Sequence, residues 1–251
     1  MRGGWLVQLT KTNKMYYLST NNNKIEKGVK QGWFTAGLSL APHKVSGVMN
    51  VCPHASPACI DLCINLSGMG VFNSVQNARI RKTKEFSEDP KTFLEVVASD
   101  IKSVCAKAEQ QLLRPAVRLN MFSDVPWEKL GGHIRKSLME RFPLVQFYDY
   151  TKNPNRAWQY VNGEMPSNYS LTFSLSETNE KVAMELLATG KINVAMVFAI
   201  KRNQELPMFY GDYNVVDGDK TDLRFLDPVG VVVGLRAKGK AVNSKSKFVH
   251  E

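Results

Sequence analysis

The sequence has no apolar run approaching the ~18 residues that a bilayer-spanning helix needs, which excludes such a helix. Its first residues, Met1-Arg2-Gly3-Gly4-Trp5, lead into polar sequence without the apolar centre of a signal peptide, so the expected location is the cytoplasm. There is no internal repeat and no low-complexity block beyond Asn21-Asn22-Asn23. No glycine-rich fingerprint follows any expected strand, which argues against a dinucleotide-binding fold. Cysteine is scarce, with four in 251 residues, and three of these fall within twelve residues. That is no disulfide framework; clustered cysteines in such a chain point to a metal site or to redox chemistry. Histidine also numbers four. His43 and His133 have no partners around them, and no paired nucleophile and histidine arrangement is legible.

Acidic residues are scarce at both ends. Residues 1–50 carry seven Lys and Arg against Glu26, and residues 236–251 carry five against Glu251. These two ends account for the whole formal charge of +10. A basic fringe of this kind binds nucleic acid by counterion release or stands as a solvated surface. With 43% hydrophobic residues the chain can bury a proper core. The expected organisation is a basic N-terminal segment over 1–30, one domain over 31–240 and a basic tail over 241–251.

Apolar patterning alternates between strand and helix. Strands are expected over Gly32–Pro42, Pro115–Phe122, Leu144–Tyr150, Tyr169–Leu175, Ile192–Ile200, Met208–Val216 and Val229–Leu235. Helices are expected over Val71–Phe86, Pro90–Leu113, Trp127–Phe142, Asn155–Val161 and Thr178–Thr189. Alternation of this kind, with several strands apolar throughout, predicts an α/β protein with a mainly parallel sheet. The element count predicts a full or partial β/α (TIM-like) barrel, with the cysteine loop after its first strand. In such barrels functional residues sit just beyond the C-terminal ends of strands. Ser123 and Asp124, then Asp149, Tyr150 and Thr151, then Ser174, Ser176 and Glu177, fall at those positions. Asp124, Asp149, Ser174 and Glu177 are the candidate catalytic residues. Asp124 and Asp149 read equally as helix caps.

The cysteine segment is Cys52-Pro-His-Ala-Ser-Pro-Ala-Cys59-Ile-Asp-Leu-Cys63. Ser56-Pro57 marks a helix start, with serine as the cap and proline in the first turn, and Gly68 marks its end. Cys59 and Cys63 then share one helix face, while Cys52 returns from the preceding loop. Three thiolates without an obvious fourth suit a [4Fe-4S] cluster with one iron left open to a small-molecule ligand. Zinc is the alternative metal, with His54 as the nearest fourth ligand. Packing cysteines or a redox pair is the third reading. Cys105 lies on an apolar helix face and reads as core. Gly68 and Gly70 let backbone approach the cofactor, or simply stop the helix.

Asp217, Asp219, Asp222 and Asp227 form an acidic patch around Arg224. It reads as a turn paired internally, or as a divalent-metal site. Arg79, Arg81, Lys82 and Lys84 read as a solvated helix face, with phosphate or nucleic acid as the functional rival.

A three-cysteine loop after the first strand of a β/α barrel resembles the radical S-adenosylmethionine superfamily. That family usually spaces its cysteines Cys-x3-Cys-x2-Cys. Leu62 stands where an aromatic residue is usual there, and Asn120-Met121-Phe122-Ser123-Asp124 stands where that family has Gly-Gly-Glu. The resemblance implies S-adenosylmethionine as a ligand of the open iron, with Asn120 and Ser123 beside it. A closer resemblance is to the phage "gene product 88" family. It is carried by the Cys52–Cys59 segment, Asn65–Gly70, Val75–Thr83, Arg118–Asn120 with Ser123-Asp124, Tyr148–Lys152, Thr172–Ser174 and Val216–Asp219, and it runs from about residue 30 to 240. It implies a viral protein working in host cytoplasm. The leading expectation is thus an iron–sulfur protein on a radical-enzyme-like barrel. The alternative is a non-enzymatic nucleic-acid or host-partner-binding protein with a structural cluster or zinc.

Overall fold

The computed structural model describes residues 16–20, 27–201 and 203–251, so the expected N-terminal segment lies largely outside the described residues. Strand β1 (Leu18–Ser19) precedes β2 (Trp33–Leu38). A short helix α1 (Pro57–Asp61) and the longer α2 (Asn73–Glu88) and α3 (Pro90–Gln110) lead to β3 (Arg114–Arg118). Helix α4 (Leu138–Arg141), β4 (Gln146–Thr151), α5 (Pro154–Val161), β5 (Tyr169–Ser174), α6 (Glu180–Ala188) and β6 (Asn193–Phe198) follow in alternation. The chain finishes with β7 (Phe209–Tyr210), β8 (Tyr213–Asp217), β9 (Val232–Arg236) and β10 (Val249–His250).

Local chemistry explains the boundaries. Asp89 caps α3 by accepting the Thr92 N–H at 3.1 Å, and Pro90 fills the first turn, where no donor is missed. Phe93, Leu94, Val97, Ile101 and Val104 repeat at helical spacing and are all buried. The helix expected over Trp127–Phe142 does not form as one unit. A single 3-10 turn at Trp127–Lys129 and α4 are its only helical pieces. Gly131 and Gly132 interrupt it, and the Ser137/Glu140 capping box starts a fresh helix.

The ten strands form one sheet in the order β1-β2-β3-β4-β5-β6-β9-β8-β7, with β10 beside β6. Every pairing from β2 through to β8 is parallel. β2 to β6 lie side by side in chain order, as in a barrel. The order then reverses, because β8 precedes β9 in the chain yet lies outside it. Antiparallel β1 and β7 finish the two edges, and the sheet is not closed. The expected α/β fold and mainly parallel sheet are present; the closed barrel is not.

One face of the sheet carries the helices. Ala36, Leu38, Val117, Leu119 and Phe147 pack against α3, and Phe173, Val194, Met196 and Val232 pack against α5 and α6. Each such large aliphatic or aromatic side chain contributes about 1.5–3 kcal/mol on burial. The opposite face is filled by the chain between β8 and β9. Leu223 and Phe225 pack on Trp33, Ala116 and Tyr148, and Asp222 pairs with Arg118 at 2.9 Å.

Candidate metal centre

The cysteine segment leaves the C-terminal end of β2 and crosses the C-terminal ends of β3, β4 and β5. Cys52 is anchored from both sides: its sulfur accepts the His43 N–H at 3.3 Å and its thiol donates to the Phe122 carbonyl at 3.4 Å. Ser56 caps α1 by accepting the Cys59 N–H at 3.2 Å, as the sequence suggests. The helix is shorter than expected. It ends at Asp61, and Cys63 has φ −56° and ψ 127°, outside the helical region. Cys59 and Cys63 therefore belong to two differently directed pieces of chain.

All four cysteines are free thiols of intermediate exposure. Cys52, Cys59 and Cys63 stand within electrostatic reach of one another. Burial pushes the Cys52 thiol up to about 12; the His43 N–H opposes this, and Cys59, Cys63 and Asp124 add to it. Burial also raises Cys63, while the Asn65 N–H, Arg79 and Lys152 lower it. Cys105 packs against the core on α3, as expected. His54 is exposed. Among the described residues, no group of three or more His, Cys, Asp or Glu side chains is placed to hold a metal ion.

The four candidate catalytic residues take distinct positions. Glu177 is a strut for the cysteine helix: its carboxylate accepts the Ser56 hydroxyl at 2.7 Å and the Ala58 N–H at 2.8 Å. Burial works to raise this carboxyl, but those hydrogen bonds hold it below its usual range. Asp124 accepts from Thr151 Oγ1 at 2.8 Å, the Lys152 N–H at 2.9 Å and Arg156 Nη1 at 2.5 Å. Asp149 lies beneath the rim, on the helix-covered face. It accepts the Asn120 N–H at 2.7 Å, Asn120 Nδ2 at 3.2 Å and the Tyr169 hydroxyl at 3.3 Å. Burial raises the Asp149 carboxyl to about 7 against the pull of Arg118, the Asn120 N–H and Arg156. Ser174 accepts a hydrogen bond from Lys152 Nζ at 2.5 Å.

Asn120 and Ser123, candidates for cofactor binding, instead brace their own loop. Asn120 Oδ1 accepts from Ser123 Oγ, the Val125 N–H and Trp127 Nε1, while its amide donates to the Val125 carbonyl and Asp149. Gly68 has φ +56° and turns the chain. Gly70 is required by contact: a Cβ there would lie 1.9 Å from the Asn65 carbonyl oxygen.

Several residues escaped the sequence reading. Arg79 and Lys82 do not face solvent. Arg79 is buried, donates to the Asn65 carbonyl at 2.8 Å and lies 4.2 Å over the Phe122 ring. Lys82 donates to the Tyr17 carbonyl, and burial lowers it to about 8. Lys152 stands between Ser174 and the Phe248 ring. Its position just after β4 was the available signal. The acidic patch is paired throughout: Asp217 and Asp219 with Arg236, Asp219 also with Lys238, Asp222 with Arg118 and Asp227 with Arg224. Each carboxylate has a cation beside it, which supports the turn reading over a metal site. No helix of the described residues is long and apolar enough to cross a membrane.

The family model described as Gene product 88 matches residues 12–251. No curated protein and no solved structure matches.

Proposed function

The chain belongs to the gene product 88 family, and we propose that it is an iron–sulfur protein whose [4Fe-4S] cluster is held by Cys52, Cys59 and Cys63. The observation that carries this reading is that three free, partly buried thiols from three pieces of backbone stand within electrostatic reach of one another at the C-terminal rim of a parallel sheet. The donor set fits a cluster better than a single ion. Tetrahedral zinc takes a fourth ligand, and the nearest candidate, His54, is exposed, whereas three thiolates suit a cluster with one open iron. Arg79 and Lys152 beside Cys63 offset the charge that three thiolates bring.

Bound there, the cluster would supply one-electron chemistry and an open iron for a ligand. The protein's own residues do the positioning. Glu177 fixes the start of α1, Gly70 lets the Asn65 carbonyl approach, and Asp124 holds the Lys152 backbone. Lys152 and Ser174 offer a cation and a hydroxyl at the same rim, suited to a carboxylate or other anionic group. S-adenosylmethionine carries such a group and is the ligand by which the radical-enzyme version is tested.

Protein purified without oxygen is expected to be brown, with a broad absorption near 400 nm and close to four iron and four sulfide per chain. Cys52→Ala, Cys59→Ala and Cys63→Ala should each lose most of that iron, whereas Cys105→Ala should keep it. A colourless protein loaded with zinc would overturn the proposal. Absence of reductant-dependent cleavage of S-adenosylmethionine would remove the radical version and leave the cluster.

A further inference from the structure

At the end of the sheet away from the cysteines, a cleft of about 200 Å³ lies where the chain after β8 crosses the starts of β4, β5 and β6. Gln146, Ser170 and Thr172 line it from the strands, and Arg224, Phe225 and Asp227 line it from the crossing chain. The three strands run parallel, so their starts form the edge opposite the rim that carries Cys52, Cys59 and Cys63.

The polar groups of this lining are largely unspent. Ser170 and Thr172 stand two residues apart on one side of β5, and neither hydroxyl has a hydrogen-bond partner among the described residues. Gln146 donates its side-chain amide to the Phe147 and Asn168 carbonyls at 2.8 and 3.1 Å, which leaves its own carbonyl oxygen free. Lys191, exposed, has no ion-pair partner among the described residues. Arg224 is 2% exposed; its Nη2 donates to the Thr221 carbonyl, but Nε and Nη1 have no acceptor. Asp227 Oδ2 lies 3.2 Å from Nη1, out of line for a hydrogen bond, and is itself buried without a donor. Buried polar groups are almost always satisfied, so exceptions gathered at a cleft mark a place where a ligand brings the missing partners.

We propose that this cleft binds a neutral, polyhydroxylated molecule of monosaccharide size. Volume sets the first limit. The cleft holds roughly seven waters at about 30 Å³ each. Pockets for drug-sized ligands start at about 300 Å³, so one sugar ring fits and a nucleotide or oligosaccharide does not. Charge sets the second limit. A cation would meet Arg224 and Lys191, and an anion would meet Asp227, so neither sign finds a wall of one charge. Hydrogen-bonding capacity sets the third. Ser170 and Thr172 both donate and accept, Gln146 accepts and Lys191 donates. A sugar hydroxyl also does both and is matched by each of them. Phe225 and Tyr160 add ring surface against which the C–H face of a sugar packs.

The test titrates the full chain with D-glucose, D-galactose, D-mannose and D-ribose in turn, with binding read by NMR saturation transfer from protein to sugar protons. At least one of the four should receive saturation. Thr172→Val keeps the shape of a buried side chain, removes its hydroxyl and should weaken binding of that sugar about five- to tenfold. Ser170→Phe fills the cleft from a partly exposed position and should abolish binding. Melting temperatures report whether each variant folds, and Ser170→Ala gives the same hydroxyl test as Thr172→Val from a less buried site. Inorganic phosphate and ammonium are the charged probes and should not displace the sugar. Absence of transfer to all four sugars at tens of millimolar would overturn the proposal. Transfer that survives Ser170→Phe would overturn it as well, by placing the sugar elsewhere. Displacement by phosphate would assign the cleft to an anion and end the neutral reading. Iron content has no bearing on these outcomes, since the cysteines lie at the opposite edge of the sheet.

Discussion

Arg156→Met is the most informative single substitution outside the cysteines. Arg156 is 1% exposed and sits between two carboxylates. Its Nη1 reaches Asp124 at 2.5 Å, while Nε and Nη2 hold Glu128 as a two-pronged pair, both at 2.9 Å. Nη2 also donates to the Tyr169 hydroxyl at 2.8 Å. Burial works against the guanidinium charge, yet Tyr169, Glu128 and Asp124 together hold it above its ordinary pKa. Methionine keeps much of the volume and removes the charge and every donor. Glu128 and Asp124 are then left with uncompensated charge in a buried place. Breaking a buried pair by removing one partner costs about 3–5 kcal/mol. For a chain of this size that lowers the melting temperature by roughly 6–20 °C.

Calorimetry gives the loss directly, and a second substitution gives its signature. Adding Glu128→Gln to Arg156→Met should recover part of the loss at neutral pH, because one unpaired charge is gone. Iron content should fall as well, since Asp124 holds the Lys152 backbone at the cysteine rim. A loss under about 1 kcal/mol, or no recovery from Glu128→Gln, would refute the account of Arg156 as the charge that holds this loop.

Two further predictions concern carboxylates. Glu177→Ala removes both acceptors at the start of α1 and should cost about 1–2 kcal/mol, with reduced iron occupancy in protein reconstituted under limiting iron. Unaltered melting and full occupancy would show that α1 holds itself. Asp149 titrates in the folded protein near pH 7 against 3.8 for the ordinary carboxyl. Its contribution to stability is therefore complete below about pH 4 and lost as pH rises through 7, up to roughly 4 kcal/mol. Asp149→Asn has no such titration, so the variant should gain on the wild type over that window in urea midpoints, whatever fixed cost its amide imposes on Asn120 and Tyr169. Parallel pH curves would sink this assignment.

The helix–strand alternation was legible because it depends on local patterning. β4, α5, β5, α6 and β6 fall within a few residues of their expected spans. Closure was not legible, because it depends on where β8 and β9 pair, and both read simply as strands. The rim was legible as a list of polar residues and illegible as an arrangement. Asp124, Asp149 and Glu177 look alike at strand ends. One is held by a buried arginine, one lies under the sheet's rim, and one braces the cysteine helix. Those roles are set by Arg156, Tyr169, Ser56 and Ala58, which come from other segments. Arg79 and Lys82 were misplaced for a related reason. A charged residue on a polar helix reads as solvated unless its backbone-carbonyl partner is known, and here those partners come from Asn65 and Tyr17.

The early end of α1 bears directly on the metal. Had the helix continued to Gly68, Cys59 and Cys63 would lie one turn apart on a common face, the spacing by which helical side chains meet at a single ion. Instead the chain breaks at Leu62, and Cys63 starts a separate 3-10 turn. Cobalt exposes the consequence. Added to iron-free, reduced protein, Co2+ reports each thiolate by a sulfur-to-metal charge-transfer band and tetrahedral geometry by intense visible bands. With Cys63 turned out of the helix that carries Cys59, one ion should engage at most two cysteines, give weak visible bands and bind no tighter after Cys52→Ala. Iron and sulfide should then displace it and bring in all three cysteines. An intense tetrahedral spectrum with three thiolates per cobalt, weakened by each of the three alanine substitutions, would mean that the sulfurs close on one ion, and the argument from the break at Leu62 to a cluster would fail.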